Sequence, residues 1–338
     1  MRRKKVLFIV NPRSGKGQIR NALLDIADIF IKGGLDVTLY VTQKPQDASR
    51  VVEKRAAKFD LVACSGGDGT LDEVVTGMMN SEIRRPIGYI PAGSTNDFAN
   101  SLQIPKRMTE AAQCIVENNV YPCDVGSFNS DYFVYIAAFG MFTEVSYQTN
   151  QDVKNVLGHL AYVLEGAKCI FNVKSYEVEI ELNGEKIRDE FIYGMITNSE
   201  SVGGFRSITG KNIRLDDGLF EVTMIKTPRN AIELQEIITS LLRGEMDSNY
   251  IISYKTRQVV IRSEIAIPWT LDGEYGGDHK EVEICCHQKA VDIIVNHQFG
   301  ESEIVNPACG RNRTPPHSRH LRHDLLAPLT GQPIHLRI

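Results

Sequence analysis

Gly66-Gly67-Asp68-Gly69-Thr70, followed by Leu71-Asp72-Glu73, combines backbone freedom with acids. Three glycines in four positions allow φ > 0 and let main-chain N–H groups face a ligand without Cβ interference. The segment opens onto a helix N-terminus, where the dipole favours a phosphate. Asp68 sits inside that anion cradle. An acid there makes sense when a divalent cation shares the phosphates' charge. A plain turn would not need five such residues.

Two further loops have related character. Asn11-Pro12-Arg13-Ser14-Gly15-Lys16-Gly17 looks like a phosphate loop, but departs from the usual P-loop pattern. No Gly lies five residues before Gly15, and Gly17, not Ser or Thr, follows Lys16. A tight strand-to-helix turn would also account for it. In Pro91-Ala92-Gly93-Ser94-Thr95-Asn96-Asp97-Phe98, Ser94 and Thr95 can donate to a phosphate or cap the following helix. Asp97 supplies a second carboxylate, and Phe98 reads as core.

These loops must be held by strands and helices. Val6 to Val10 is a continuous apolar run, as expected of a strand buried on both faces. Gln18 to Ile31 has helical apolar spacing and stops at Gly33-Gly34. Val37 to Val41 predicts a second strand. Asp47 to Ala57 predicts a second helix, with Asp47 as its N-cap. Leu61 to Cys64 and Ile87 to Ile90 read as strands, with a helix over Leu71 to Met79 between them. Strands separated by single helices imply a doubly wound parallel sheet, whose ligands bind at the C-terminal strand ends. All three glycine loops leave such ends.

The rhythm changes after about Asp124. Tyr176, Val178, Ile180 and Leu182 alternate with glutamates, and Asn183-Gly184 separates them from Ile187 to Ile196, a hairpin signal. Short strands follow over Leu219–Ile225, Gln258–Arg262, Glu264–Ile267, Val282–Cys285 and Ala290–Val295. Helical spacing marks Val153 to Phe171 and Asn230 to Leu242. The fold class is therefore α/β: a doubly wound parallel α/β nucleotide-binding domain over 1–127, then a β-rich, sandwich-like domain over 128–308. Residues 309–338 read as a disordered or non-native tail. The stretch Gly310 to Ile338 holds four of the eight histidines, four prolines, five arginines and one acid, Asp324.

Composition excludes other classes. The chain has 338 residues, 42% hydrophobic and 24% charged, with net charge −4. These are globular values. Without the tail, 33 basic and 41 acidic residues leave −8, so no nucleic-acid partner is expected. The longest nearly apolar run, Tyr132 to Phe142, is eleven residues, against the roughly 20 of a spanning helix. Val6 to Val10 is too short for a signal-peptide core. Seven cysteines without metal or redox spacing suit reduced thiols in a cytosolic protein.

Gly-Gly-Asp-Gly-Thr at 66–70 followed by Pro-x-Gly-Ser-Thr-Asn-Asp-Phe at 91–98 resembles the diacylglycerol kinase catalytic domain, and most closely the soluble bacterial lipid kinases of that type. The resemblance extends over about residues 5 to 305. It includes Asn11 to Gly15, Asp124-Val125-Gly126, Leu215-Asp216-Asp217-Gly218 and Leu271-Asp272-Gly273-Glu274-Tyr275-Gly276-Gly277. It implies an active site in the cleft between the two domains.

The resemblance implies ATP binding by Asn11, Pro12, Arg13, Ser14 and Gly15, by Thr42, by Gly66, Gly67, Asp68, Gly69, Thr70, Leu71 and Asp72, and by Ser94. Position 72 is often Asn and position 94 often Thr in that family; the Asp and Ser here keep polarity. Asp68 resembles the residue that handles magnesium-bound nucleotide, with Asp97 and Asp124 expected nearby and Asp124 expected among the metal-binding residues. The Arg214–Leu219 loop resembles a structural Mg²⁺ site, with the Asp217 carboxylate and the carbonyls of Arg214 and Leu219 as ligands. An ordinary Asp-Gly turn would explain the same residues. Glu274, in a loop with Gly273, Gly276 and Gly277, is the candidate base.

A lipid substrate would bring the protein from the cytoplasm to the inner face of the membrane as a peripheral visitor. The basic clusters Arg2 to Lys5, Arg84-Arg85 and Lys106-Arg107 could dock it. The apolar stripe of Val153 to Phe171 reads as core or as a lipid-facing lid. A homodimer is compatible with this reading. Two other functions share features: a kinase of a soluble substrate such as NAD, and a catalytically silent lipid- or nucleotide-binding regulator. The Ser94–Phe98 and Leu271–Gly277 blocks weigh against the first. Asp68, Asp97, Asp217 and Glu274 together weigh against the second.

Overall fold

Val6, Leu7, Phe8 and Ile9 are closed to solvent, so strand β1 (Lys4–Val10) is covered on both faces. The computed structural model describes residues 2–140, 174–199, 213–243, 248–297 and 299. The expected helix Val153 to Phe171 and the tail lie outside these residues.

After β1 come α1 (Ile19–Lys32), β2 (Leu35–Val41), α2 (Asp47–Arg55), β3 (Leu61–Gly66), α3 (Asp68–Met79) and β4 (Ile87–Pro91). The strands pair in parallel in the order β2-β1-β3-β4. The chain reverses its direction of travel across the sheet between β1 and β3, which opens a crevice at their C-terminal ends. The expected α/β alternation is present.

The N-terminus of α2 differs in detail. Gln46, at φ 64°, precedes the helix. Asp47 does not cap it; its Oδ2 accepts the Gln43 N–H at 2.9 Å and the Tyr40 hydroxyl at 3.2 Å. Glu73 of α3 accepts the Gln46 and Ala48 N–H groups at 2.9 and 3.0 Å. A carboxylate from the neighbouring helix thus does the work expected of a local one.

Two short helices, α4 (Asp97–Ser101) and α5 (Met108–Glu117), lead to β5 (Val120–Phe128), β6 (Asp131–Phe133) and β7 (Ile136–Gly140). The expected hairpin is β8 (Tyr176–Leu182) and β9 (Glu185–Thr197). Its turn has Asn183 at φ 51° and Gly184 at φ 81°, the type I′ geometry that matches strand twist. Then come β10 (Phe220–Lys226), α6 (Ala231–Arg243), β11 (Ile251–Thr256), β12 (Gln258–Leu271) and β13 (Glu274–Ile294).

Two pairs of expected strands prove to be single long ones. Gln258–Arg262 and Glu264–Ile267 are parts of β12, irregular between Arg262 and Ile267. Val282–Cys285 and all but the last residue of Ala290–Val295 are parts of β13, irregular between His287 and Val291. β13 pairs with β12 and β5 antiparallel, and its last residues, Ile293 and Ile294, pair parallel with β4. The end of the second half therefore completes the sheet of the first. All thirteen described strands share one connected hydrogen-bonded network.

One core surrounds the parallel sheet. A second, in the β-rich half, holds Phe128, Phe133, Phe139, Phe191, Phe220 and Trp269. Phe139 and Phe128 meet Trp269 at 4.8 and 5.1 Å between ring centroids. Each such side chain contributes about 1.5–3 kcal/mol by burial. The two cores hold fixed the ends of β1, β3, β4 and β12, where the chemistry-bearing residues lie.

Candidate active site

The three glycine loops meet. Gly15, at φ 54°, lies so close to the third loop that a Cβ would stand 2.3 Å from the Ala92 carbonyl oxygen. A Cβ on Gly67 would be 3.3 Å from both Gly93 Cα and Ser14 Oγ. Asn11 Nδ2 donates to Thr70 Oγ1 at 3.0 Å, joining the first loop to α3. The Thr42 N–H donates to the Val10 carbonyl at 2.9 Å, which brings the end of β2 alongside. Gly67 precedes α3 in an extended conformation, and no side chain caps that helix. An uncapped helix N-terminus amid glycine loops suits a phosphate.

Asn96 shapes the third loop, a role the sequence did not suggest. It sits at φ 54°. Its Oδ1 accepts the Gly93 N–H at 3.0 Å and the Tyr89 hydroxyl at 3.2 Å, while Nδ2 donates to the Gly93 carbonyl. An Asn between Thr and Asp is a general turn signal; only the folded loop gives it these partners. Ser94 is exposed beside it.

Carboxylates gather where α3 begins. Asp68 Oδ2 accepts the Asp97 N–H at 3.2 Å, and Asp97 is buried. Asp68 Oδ1 is buried with no hydrogen-bond partner among the described residues. Burial first, and then the Asp97 charge, pushes the Asp68 carboxyl up to about 7. Asp72, one turn on, is raised by burial and by Asp272. An orphaned carboxylate oxygen of this kind fits a divalent cation bound to nucleotide phosphates.

The second half contributes Asp272 and Glu274, on either side of Gly273. The turn has Asp272 at φ 49° and Gly273 at φ 87°, so β12 returns sharply into β13. Glu274 is exposed, and a Cβ on Gly69 would stand 3.5 Å from its Oε1. Its carboxylate thus abuts the first turn of α3. Asp272 is a functional candidate to which the sequence motif alone assigns no role. Its carboxylate is buried and takes backbone N–H groups from Val134, Tyr135 and Ile136.

Asp124 lies elsewhere. Its oxygens accept the Lys289 and Gly218 N–H groups at 2.7 and 2.6 Å, and its own N–H donates to the Leu215 carbonyl. It staples β5 to the 214–219 loop and to the β13 irregularity, and it is not grouped with Asp68 and Asp97. In that loop Asp217 Oδ1 accepts the Leu219 N–H at 3.0 Å, and Oδ2 is 3.9 Å from Lys255 Nζ. Arg214 pairs with Asp216 at 3.3 Å. No cluster of three or more His, Cys, Asp or Glu forms a metal site among the described residues; one carboxylate with main-chain carbonyls remains as a donor set.

All three basic clusters are partly engaged, the first through Arg2, 4.0 Å from Asp60 Oδ2. Arg84 donates to the Ala290 carbonyl at 2.8 Å and Arg85 to that of Ala57 at 3.4 Å. Arg107 pairs with Glu110. Among the described residues no helix is long and apolar enough to cross a membrane.

Residues 5–128 match the diacylglycerol kinase catalytic domain, and residues 136–295 match the YegS C-terminal NAD kinase beta sandwich-like domain. A diacylglycerol kinase of Bacillus subtilis is 35% identical over 277 residues, which cover 81% of this chain and 91% of the relative. The chain belongs to the diacylglycerol kinase family. Diacylglycerol kinase of Staphylococcus aureus (strain MRSA252) is 31% identical to this kinase over 306 residues, 90% of one chain and 96% of the other. A crystal structure of a diacylglycerol kinase from Bacillus anthracis matches with a TM-score of 0.69 at 25% identity, covering 88% of this kinase and 99% of that chain. The family makes this chain an enzyme of the lipid-kinase type, with ATP implied as its phosphoryl donor.

Proposed function

We propose that this kinase transfers the γ-phosphoryl group of magnesium-bound ATP to the free hydroxyl of diacylglycerol, giving phosphatidic acid. The seat of Glu274 carries the reading. A carboxylate from the β-rich half stands against the first turn of α3, at the meeting of three glycine loops. Phosphate and hydroxyl would meet there.

The loops Asn11–Gly15 and Gly66–Asp72, with Thr42 and Ser94, would surround the nucleotide and its phosphates. The Asp68 carboxylate, assisted by Asp97, would hold the magnesium that offsets their charge. Glu274 orients the acceptor hydroxyl and takes its proton. The transition state of phosphoryl transfer is loose, so this proton moves late, and positioning supplies most of the rate. Asp217, with the carbonyls of Arg214 and Leu219, would hold a second, structural magnesium. The enzyme would reach its lipid as a peripheral protein at the inner membrane face.

The test is transfer of radiolabelled phosphate from ATP to diacylglycerol, phosphatidylglycerol, sphingosine, ceramide or NAD. Labelled phosphatidic acid, dependent on magnesium, is the expected product. Labelling of NAD alone would move the chain to the soluble-substrate kinases. Nucleotide binding without transfer to any acceptor would make it a regulator.

A further inference from the structure

We infer that Glu73 is a positioning residue for the nucleoside half of ATP: from α3 it caps α2, and so fixes the 42–46 loop at a set distance from the phosphate turn. This role rests on the reading that the glycine loops and Thr42 hold ATP.

Glu73 divides its carboxylate between two backbone groups of another helix. Its Oε1 accepts the Gln46 N–H at 2.9 Å, and its Oε2 accepts the Ala48 N–H at 3.0 Å. Gln46 is the residue before α2, in the left-handed region and with no side-chain cap of its own, and Ala48 is the second residue inside the helix. A local capping box would share these two tasks between a side chain before the helix and a Glu three residues further on. Here a single carboxylate on α3 performs both.

Asp47 is thereby free to hold the loop. It is buried, and its Oδ2 accepts the Gln43 N–H at 2.9 Å and the Tyr40 hydroxyl at 3.2 Å. The Thr42 N–H and hydroxyl both donate to the Val10 carbonyl, at 2.9 and 3.4 Å. Gln43, Lys44, Pro45 and Gln46 are exposed, yet the backbone is tied at residues 42, 43 and 46. A surface connection is ordinarily the mobile part of a fold; this one is held as a binding element is held.

The ties lead to α3. Gly77 lets the two helices touch: a Cβ there would stand 2.4 Å from the Ser49 carbonyl oxygen and 2.9 Å from Val52 Cβ. The loop, α2 and α3 therefore form one unit. Phosphates at the N-terminus of α3 lie beyond the end of β3, and the 42–46 loop leaves the end of β2. In the order β2-β1-β3 these ends are two strand spacings apart, about 10 Å. That separation exceeds one phosphate and lies within the span of a nucleotide, so the part of ATP that reaches residues 42–46 is the nucleoside. Glu73 sets the distance between the two ends of the ligand.

The test compares Glu73→Ala with wild type, well below both melting temperatures. Turnover against ATP is measured on diacylglycerol in mixed micelles. Inorganic tripolyphosphate, which offers phosphates without a nucleoside, serves as inhibitor. Lost ground-state binding raises KM at constant kcat, so Glu73→Ala should raise the KM for ATP about tenfold with kcat held within about threefold. The phosphate turn keeps its own contacts, so inhibition by tripolyphosphate should stay within about twofold of wild type. An unchanged KM for ATP, a fall in kcat with KM held, or an equal weakening of tripolyphosphate would each overturn the inference. Failure of tripolyphosphate to inhibit the wild type would instead remove the phosphate-site reading on which it rests. If Glu73→Ala does not fold, Glu73→Gln, which keeps the length and one acceptor oxygen, takes its place, with the KM for ATP raised about threefold. Loss of the fold in both would make Glu73 a structural cap and also overturn the inference.

Discussion

Gly93 rests on Gly67: a Cβ added to Gly93 would stand 2.5 Å from the Gly67 Cα and 2.8 Å from Asn96 Oδ1. No side chain at residue 93 fits between these loops, and the obstacle is backbone, which cannot rotate away. The third glycine loop therefore closes on the second only because residue 93 is glycine.

Gly93→Ala should accordingly force the two loops apart. Overpacking of this kind costs about 1–3 kcal/mol, and the separated loops should bind nucleotide less well. The expected result is a lower melting temperature with a nucleotide KM raised about tenfold, the equivalent of about 1.4 kcal/mol. Unchanged nucleotide affinity in the folded variant would show that the loops do not act as one phosphate site.

Glu274→Gln should leave nucleotide affinity in place, because the glycine loops lie in the other half of the chain. Turnover should fall by roughly 10²–10⁴, the usual contribution of general acid–base catalysis. Equilibrium ATP binding and the maximal rate of the same preparation check both halves of the statement. A variant that turns over within a few-fold of wild type would leave Asp97 or Asp68 as the candidates.

Stability should depend on pH through Asp68. Its carboxyl is raised to about 7 by burial, then by Asp97, whereas an unfolded aspartate titrates near about 3.9. Between those values the folded chain keeps a proton that the unfolded chain has released. Stability therefore falls as pH rises through the window and levels off above it. Asp68→Asn removes this contribution, so its melting temperature should drop less than that of wild type between about pH 5 and pH 7.5. Asp72 and Asp272 are raised in the same direction, so the slope shrinks and does not vanish. Equal slopes in the two proteins would count against Asp68 as a titrating group.

Chelation tests the 214–219 loop. Asp217→Ala should destabilise by about 1 kcal/mol through loss of its bond to the Leu219 N–H alone. If the loop also holds magnesium, EDTA should lower the wild-type melting temperature by mass action and leave the Asp217→Ala variant unmoved. A wild-type curve indifferent to EDTA would reduce the loop to a turn held by Asp124.

Local pattern was enough for much of this protein. The runs of β1, β3 and β4 read as strands because each is apolar throughout and bounded by turn residues. The β8–β9 hairpin was visible because Asn183-Gly184 suits only a tight turn between alternating runs. The glycine loops and Glu274 stood out by residue type and motif. What the tertiary structure alone decided was how distant backbone groups are satisfied. β13 looked like two short strands because Lys289, at φ 52°, interrupts its alternation; pairing with β5 and β4 carries it through. Asp124 looked like a companion of Asp68, yet its oxygens go to the N–H groups of Gly218 and Lys289, 94 and 165 residues away. Asp272 has no role that its motif alone assigns, yet it anchors residues 134–136 across the fold. A buried carboxylate must find donors wherever the chain brings them, and no periodicity in the sequence records which segments those are.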